Sequence, residues 1–299
     1  MAILCLGEAL VDLVCERPVE SLAEARSFTP HFGGAMANVA VVAARHGAAV
    51  ELAGGAGDDD WGRWLAERLA AERVGLRWFG LVSGAPTPLA FVTVDGAGEP
   101  SFLVYGAGLH SAIAGAAPHL PEALAACGAL VFASNTLVSD DERAATLAAR
   151  ETALELGKPV IFDPNLRLSR WESPGRAASV CRECVPGAFL VKANREEARL
   201  LTGEVDPEAA AAGLLAAGAQ HAVITLGADG ALLRGSISAD APGSPADAID
   251  ATGAGDVLLG VLLAHLDRTG LYPPALAAAL PVAVAEAARA TEHWGAVGP

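Results

Sequence analysis

The stretch Asp250-Ala251-Thr252-Gly253-Ala254-Gly255-Asp256, followed by apolar Val257–Leu263, has residue types and spacing that could do chemistry. Gly253, Ala254 and Gly255 let backbone N–H groups crowd together where a helix begins. Free amides and the positive end of the helix dipole make an anion site there. Small residues are required because a phosphoryl group must come close to the backbone. Asp256 falls in the first helical turn, where a carboxylate can take the proton of a hydroxyl attacking phosphorus while the amides stabilise the charge that builds up. Taken alone, the same residues also make an ordinary helix N-cap with glycines in the preceding turn. A second stretch, Gly33-Gly34-Ala35-Met36-Ala37-Asn38, leads two glycines into a helix. It suits a close backbone approach to a polyhydroxylated ligand, with Asn38 donating and accepting hydrogen bonds. A turn with a buried, satisfied Asn is the plainer alternative.

The elements that must position these residues follow from the apolar pattern. Short apolar runs at Ile3–Leu6, Val50–Ala53, Ala129–Phe132, Val160–Phe162, Phe189–Val191 and Ala222–Leu226 read as strands. Helical patterns separate them at Ala35–His46, Trp61–Val74, Asp141–Leu156, Arg195–Leu201, Pro207–Ala217 and Gly255–Leu266. Continuous apolar strands between helices predict an α/β fold, a Rossmann-like doubly wound and mostly parallel sheet. Two segments break the rhythm, Val11–Phe32 and Pro88–Tyr105. The second reads as a hairpin, Phe91–Val94 and Ser101–Val104 about the turn Asp95-Gly96-Ala97-Gly98. Together they predict a small β-sheet lid made of residues 12–32 and 87–106, on a core made of residues 1–11, 33–86 and 107–299. A small sheet with one apolar face must cover something or pair with a copy of itself, so a homodimer through the lid is an expectation. Ala239–Ala248, rich in Pro, Ser and Asp, reads as a loop.

Composition narrows the partners. The 299 residues carry a formal charge of −15, which repels nucleic-acid backbones and anionic lipid surfaces. Glu8 and Asp12 interrupt the apolar N-terminus too early for a signal peptide, and no long unbroken apolar run suggests a membrane span. Five cysteines without framework spacing point to a reducing, cytoplasmic setting. Cys181-Arg-Glu-Cys184 follows a polar, helix-like stretch and lacks further ligands nearby, so it reads as an ordinary helical segment rather than as a redox or zinc motif. Neither lysine, Lys158 or Lys192, lies in a Walker A loop, and no GxGxxG follows an early strand.

The two chemical stretches together resemble the signatures of the PfkB (ribokinase-like) carbohydrate kinases. Gly33-Gly34-Ala35-Met36-Ala37-Asn38-Val39-Ala40, continuing through Gly47 to Gly57, is similar to the first. Asp250–Asp256 with Val257-Leu258-Leu259-Gly260 is similar to the second. The resemblance runs from Gly7-Glu8-Ala9-Leu10-Val11-Asp12 to Gly295-Ala296. It implies ATP-dependent phosphorylation of a sugar hydroxyl, with Mg2+, and with Asp256 as base beside the amides of Gly253, Ala254 and Gly255. It further implies sugar contacts from Asp12, Gly33, Gly34, Asn38 and Arg167. Asn194-Arg195-Glu196-Glu197 matches the family's N-x-x-E motif, which implies Asn194 near the phosphates and Glu197 in the magnesium shell through water. Thr225-Leu226-Gly227-Ala228-Asp229-Gly230 implies a strand and turn beside the nucleotide, carrying Thr225, Gly227 and Gly230. Asp250 and Thr252 match positions that hold a monovalent cation such as K+.

Asp163-Pro164-Asn165-Leu166-Arg167 with Trp171, and Thr87-Pro88-Leu89-Ala90-Phe91-Val92, are similar to bacterial fructokinases. The run Phe102-Leu103-Val104-Tyr105-Gly106-Ala107-Gly108 departs from the Tyr-Arg pair many of those enzymes carry after the lid strand, and so lacks one candidate sugar contact. Kinases of 2-keto-3-deoxygluconate, ribose or nucleosides are the alternatives within the family. A sugar- or nucleotide-sensing protein without catalysis is the alternative outside it, which Asp256 argues against because a sensor needs no base. A dehydrogenase is more distant.

Overall fold

Ile3–Leu6 sets the plan of the molecule. Four consecutive apolar residues leave no polar face, so the strand they form must be covered on both sides. In the computed structural model, which describes residues 1–105 and 113–298, Ile3 and Cys5 enter one core cluster, and Leu4 and Leu6 enter another on the opposite face. The strands are β1 (Ile3–Leu6), β2 (Leu10–Pro18), β3 (Thr29–Gly33), β4 (Val50–Gly57), β5 (Phe79–Val82), β6 (Leu89–Val94), β7 (Pro100–Tyr105), β8 (Ala129–Ala133), β9 (Val160–Asp163), β10 (Leu190–Asn194), β11 (His221–Thr225), β12 (Gly230–Gly235) and β13 (Ala239–Pro242). The described helices are α1 (Ala35–Arg45), α2 (Asp60–Ala71), α3 (Leu120–Ala126), α4 (Asp140–Glu155), α5 (Pro174–Arg182), α6 (Arg195–Thr202), α7 (Pro207–Ala216), α8 (Ala254–Arg268) and α9 (Pro274–Ala290).

The large sheet has nine strands in the order β13-β12-β11-β10-β9-β8-β1-β4-β5. It is parallel from β11 to β5, while β12 pairs antiparallel with β11 and β13 antiparallel with β12. Strand order reverses at β1, which lies between β8 and β4, so the carboxyl ends of the strands open onto a crevice there. Glu8 follows β1 and Asn135 follows β8. Asp163 ends β9, Asn194 ends β10 and Thr225 ends β11.

The second sheet has four strands in the order β3-β2-β6-β7 and forms the lid. Its strands start at Leu10, and Leu10, Val11 and Gly33 belong to it. Position 106 lies outside the described residues, as do the last positions of the Phe102–Gly108 run. The hairpin forms as its turn requires. The Asp95 Oδ1 accepts hydrogen bonds from Ala97 N at 2.8 Å and Glu99 N at 3.0 Å, and Gly98 adopts a φ of 83°.

Helix α8 runs through the core with residues 256–264 buried, and packs on α1 and α9. Gly260 lets α1 approach, because a Cβ there would lie 2.6 Å from the Val42 side chain. The segment expected as a loop at Ala239–Ala248 begins instead with edge strand β13. Pro242 ends this edge strand, a position where a residue without an N–H is tolerated. Cys181 in α5 and Cys184 just beyond it are both buried. Burial pushes both thiols up, Cys184 to about 12, which leaves the pair without reactive thiolate. No described helix is long and apolar enough to cross a membrane.

Candidate active site

The loop expected to bind an anion is built from conformational necessity. Gly253 caps α8 with φ 73° and ψ −2°, and a Cβ there would also lie 2.5 Å from Ala296, so two constraints demand glycine. The helix then starts at Ala254. The Val257 N–H donates to Gly253 O at 2.9 Å, whereas the Ala254 N–H reaches only Ala251 O at 3.4 Å. Among the described residues no acceptor meets the N–H groups of Gly255 and Asp256, the orphan donors a helix start supplies.

Asp256 is buried, and its carboxylate is gripped from two sides. The Asn38 Nδ2 donates to its Oδ2 at 2.9 Å, and the Asn165 Nδ2 donates to its Oδ1 at 2.9 Å. Burial raises this acid to about 6, opposed by the Asn38 hydrogen bond and the Lys192 charge. Asn38 stands in α1, and Asn165 sits at φ 40° just after β9, so three distant segments meet at one carboxylate. The amide oxygens of both asparagines are buried without a partner.

Asp256 lies on the shared wall of two cavities. One, under the lid, is lined by Glu8, Asp12, Asn38, Phe102, Arg167 and Asp256 among others. The other, a cleft of 390 Å³, is lined by Asn165, Lys192, Asn194, Glu197, Thr225, Gly253, Gly255 and again Arg167 and Asp256. A further cleft of 620 Å³ runs on from it between the lid turn at Ala97–Glu99 and Gly227, Ala228, Ala254 and Ala288. Arg167 faces both of the first two cavities, with its guanidinium 4.7 Å from the Phe102 ring.

The remaining expected residues divide into those that face a cavity and those that support one. Asp12 faces the lid cavity, and burial raises it to about 7, with Arg167 opposing and Asp256 reinforcing. Gly33 lines neither of the first two cavities. A Cβ on it would lie 2.2 Å from the Asp12 Oδ2, so Gly33 makes room for that carboxylate. Gly34 lines the cavity with φ 101°. Asn194 caps α6 and Glu197 closes the capping box, with Asn194 Oδ1 accepting from Glu197 N at 2.9 Å and Glu197 Oε2 accepting from Asn194 N at 2.9 Å. The Glu197 Oε1 accepts from Leu166 N at 2.8 Å, and burial, then Asp163, raises this acid. Gly230 lines none of these three cavities. Its Cα packs against β13, where a Cβ would lie 2.0 Å from Ala241 O. Asp250 is fully buried beneath the loop and accepts from Thr252 N and Gly295 N, each at 2.8 Å. The Thr252 Oγ1 is buried with no partner.

Sequence reasoning missed a second polar group at the lid cavity. The Glu8 Oε1 accepts from Ala35 N at 3.0 Å and from Asn135 Nδ2 at 2.7 Å, while its Oε2 is buried without a partner. The Arg170 Nη1 donates to Asn135 Oδ1 at 2.9 Å. Sequence reasoning also gave no role to Lys192, whose ammonium donates to Asp163 Oδ2 at 2.8 Å in full burial. A charged residue buried in a strand pattern was the available signal for Lys192, and the carboxylate at the end of β1 was the signal for Glu8.

The chain has clear relatives among known proteins. The chain is 33% identical over 271 residues to probable fructokinase-4 of Arabidopsis thaliana, covering 88% of this chain and 82% of that one. It is 32% identical to fructokinase-2 of Solanum lycopersicum, with 88% and 81% covered. Its structure is similar to a double mutant of the fructokinase of Vibrio cholerae O395 seen with fructose, ADP and a potassium ion, with TM-score 0.83, 28% identity, and 99% and 93% covered. It is also similar to the aminoimidazole riboside kinase of Salmonella enterica seen with aminoimidazole riboside and an ATP analogue, with TM-score 0.82, 29% identity, and 99% and 95% covered. Residues 2–297 match the pfkB family carbohydrate kinase. The chain therefore belongs to the pfkB family of carbohydrate kinases, phosphotransferases that act on an alcohol group.

Proposed function

We propose that the chain transfers the γ-phosphoryl group of ATP to a hydroxyl of a neutral sugar in a fructokinase-like reaction. One observation carries this reading: Asp256 stands on the wall between a cavity under the lid and the cleft over the free amides of α8. A hydroxyl in the first cavity and a phosphate in the second would meet at that carboxylate. Asp256 takes the proton of the attacking hydroxyl, and the Gly255 and Asp256 amides receive the charge of the transferring group. Asp12, Asn38 and the free Oε2 of Glu8 bind sugar hydroxyls. Thr225 and Asn194 face the phosphates, and Gly227 flanks the base. Two arginines beside the lid cavity, Arg167 and Arg170, would suit a sugar acid such as 2-keto-3-deoxygluconate. The unpartnered Glu8 oxygen would repel its carboxylate and favours a neutral polyol.

The cation sites fit in different ways. No cluster of three acidic or metal-binding side chains exists among the described residues, so a divalent ion would have no protein cage. Mg2+ suits such a place because it keeps its waters and rests mainly on phosphate oxygens. Glu197, with both oxygens already accepting main-chain N–H groups, would reach it through water. When bound, the ion neutralises charge on the phosphates. Asp250 and the orphaned Thr252 hydroxyl form an all-oxygen set suited to K+. The outer face of the lid, with Leu103 and Tyr105 exposed, would pair with a second copy.

A coupled ADP-release assay over fructose, ribose, 2-keto-3-deoxygluconate and adenosine tests the reading. Fructose is expected to give the highest kcat/KM, and Asp256→Asn to lower kcat by roughly 10²–10⁴-fold with ATP binding near normal. ADP release that ignores every acceptor, or a fully active Asp256→Asn, would overturn it. Stabilisation by sugar without any turnover would favour a sensor.

A further inference from the structure

We propose that Lys192 is a second catalytic group, an ammonium that contacts the transferring phosphoryl group from the sheet side while the α8 amides hold it from the helix side. The inference rests on the kinase reading above and extends it to a residue outside the signature motifs.

Lys192 lies in β10, directly beyond the pairs Leu190–Ile161 and Val191–Phe162, so it stands next to Asp163 across the β9–β10 ladder. Its side chain is 4% exposed and that of Asp163 is 0% exposed, and the two are joined at 2.8 Å. Asp163 is the ammonium's only hydrogen-bond partner among the described residues, so two of its three N–H donors remain available. Those donors face the phosphate cleft, which Lys192 lines together with Gly253, Gly255 and Asp256. The ammonium also rests against the anion loop itself: a Cβ on Gly255 would lie 2.6 Å from the Lys192 Nζ. Gly255 is thus small for two reasons, the approach of phosphate and the seat of this cation.

Stability does not account for the pair. A buried ion pair is commonly no more stable than an apolar pair of similar volume, because both charges lose their hydration. The surroundings nonetheless keep the lysine charged. Burial works against the ammonium, but Asp163, Glu197 and Asp256 outweigh it and raise Lys192 above its ordinary value. A permanently protonated, nearly dry cation on the wall of a phosphate cleft is suited to charge stabilisation in a chain that lacks a Walker A lysine. In the step proposed, the acceptor oxygen bonds to the γ-phosphorus and the bond to the bridging oxygen breaks. ADP leaves, and the acceptor's proton goes to Asp256. Lys192 neither gains nor loses a proton; its N–H groups follow the negative charge on the phosphoryl oxygens.

Two variants separate catalysis from folding. Lys192→Met leaves Asp163 buried and unpaired and will lower Tm. The double variant Lys192→Met with Asp163→Asn removes both charges and should recover most of that Tm. We expect both to lose kcat by about 100-fold or more, the scale of one transition-state donor, with sugar KM within threefold of wild type. Thermal shift with ADP, sugar and aluminium fluoride supplies an independent readout. Wild type should be stabilised beyond ADP and sugar alone, and both variants should lose that increment. A double variant with near-wild-type kcat, or with the full aluminium fluoride increment, would overturn the assignment and leave Lys192 a structural partner of Asp163. If wild type itself phosphorylates no sugar, the kinase reading fails first, a result visible without any variant, and this assignment falls with it.

Discussion

At the scale of residues, Asp256, the proposed base, is a carboxylate placed where negative charge is expensive. Burial lifts it to about 6 and Asp12 to about 7, so both acids change state just below neutrality. In the proposed role Asp256 must be ionised, so kcat/KM should fall as pH drops through roughly 7 to 6; a profile flat to pH 5 would contradict the assignment. The effect on stability has the opposite sign. Both acids bind their protons more tightly folded than unfolded. The stability this contributes is complete below the unfolded value near 4 and is lost as pH rises through 6 to 7. The ligand-free enzyme at pH 8 therefore holds two buried charges that disfavour the fold. Asp256→Asn should relieve one of them and stabilise it, on the order of 1–3 kcal/mol. The new amide can be accommodated because Asn38 and Asn165 have unpartnered oxygens, and flipping one of them turns a donor into an acceptor. A Tm at pH 8 below wild type would count against this electrostatic account.

At the scale of elements, the lid hairpin and the anion loop are one mechanical unit. The Ala251 N–H donates to Gly98 O at 2.9 Å, so the turn of β6–β7 is bonded to the loop that leads into α8. Inner positions of β7 alternate toward the cavity under the lid, where Phe102 and Val104 line it and Phe102 meets Arg167. Seating the lid over the sugar and ordering the phosphate loop would then occur together, which restrains transfer to water. Phe102→Ala should raise sugar-independent ADP release relative to sugar phosphorylation by several-fold, measured with and without acceptor; an unchanged ratio would uncouple the two elements. Much of this level could be read in the chain. The β1, β8 and β9 runs are unbroken apolar segments, and Asp95-Gly96-Ala97-Gly98 marks its turn. Helix α9 could not be read, because its alanine-rich sequence interrupted by Pro281 carries little amphipathic pattern. The Glu8–Asn135–Arg170 and Lys192–Asp163 contacts were also hidden, since partners 127 and 29 positions apart leave no local spacing to recognise.

At the scale of the whole molecule, charge and shape pull in different directions. A net charge of −15 keeps copies apart, yet the outer face of the lid is apolar. Cross-strand register lines up Leu13, Phe91 and Leu103, and the Phe91 ring packs edge-on against Tyr105 at 5.3 Å. Leu103 is 47% exposed and Tyr105 55% exposed, on an edge strand with unpaired backbone groups. Such an edge invites a second sheet unless it is protected, and β7 carries no lysine or arginine to repel one. A lid-to-lid dimer would cover this face and stiffen the strands that hold Asp12 and Phe102 over the sugar. Sedimentation velocity should therefore give twice the chain mass. Leu103→Asp, facing away from the cavity, should weaken the dimer by about 2 kcal/mol or more and shift it toward monomer. Because the substitution leaves Asp256, the α8 amides and Arg167 untouched, its kinetic effect should appear as a raised sugar KM with kcat little changed. A monomeric variant with unaltered sugar KM would mean that the lid closes on its own core without help from a partner.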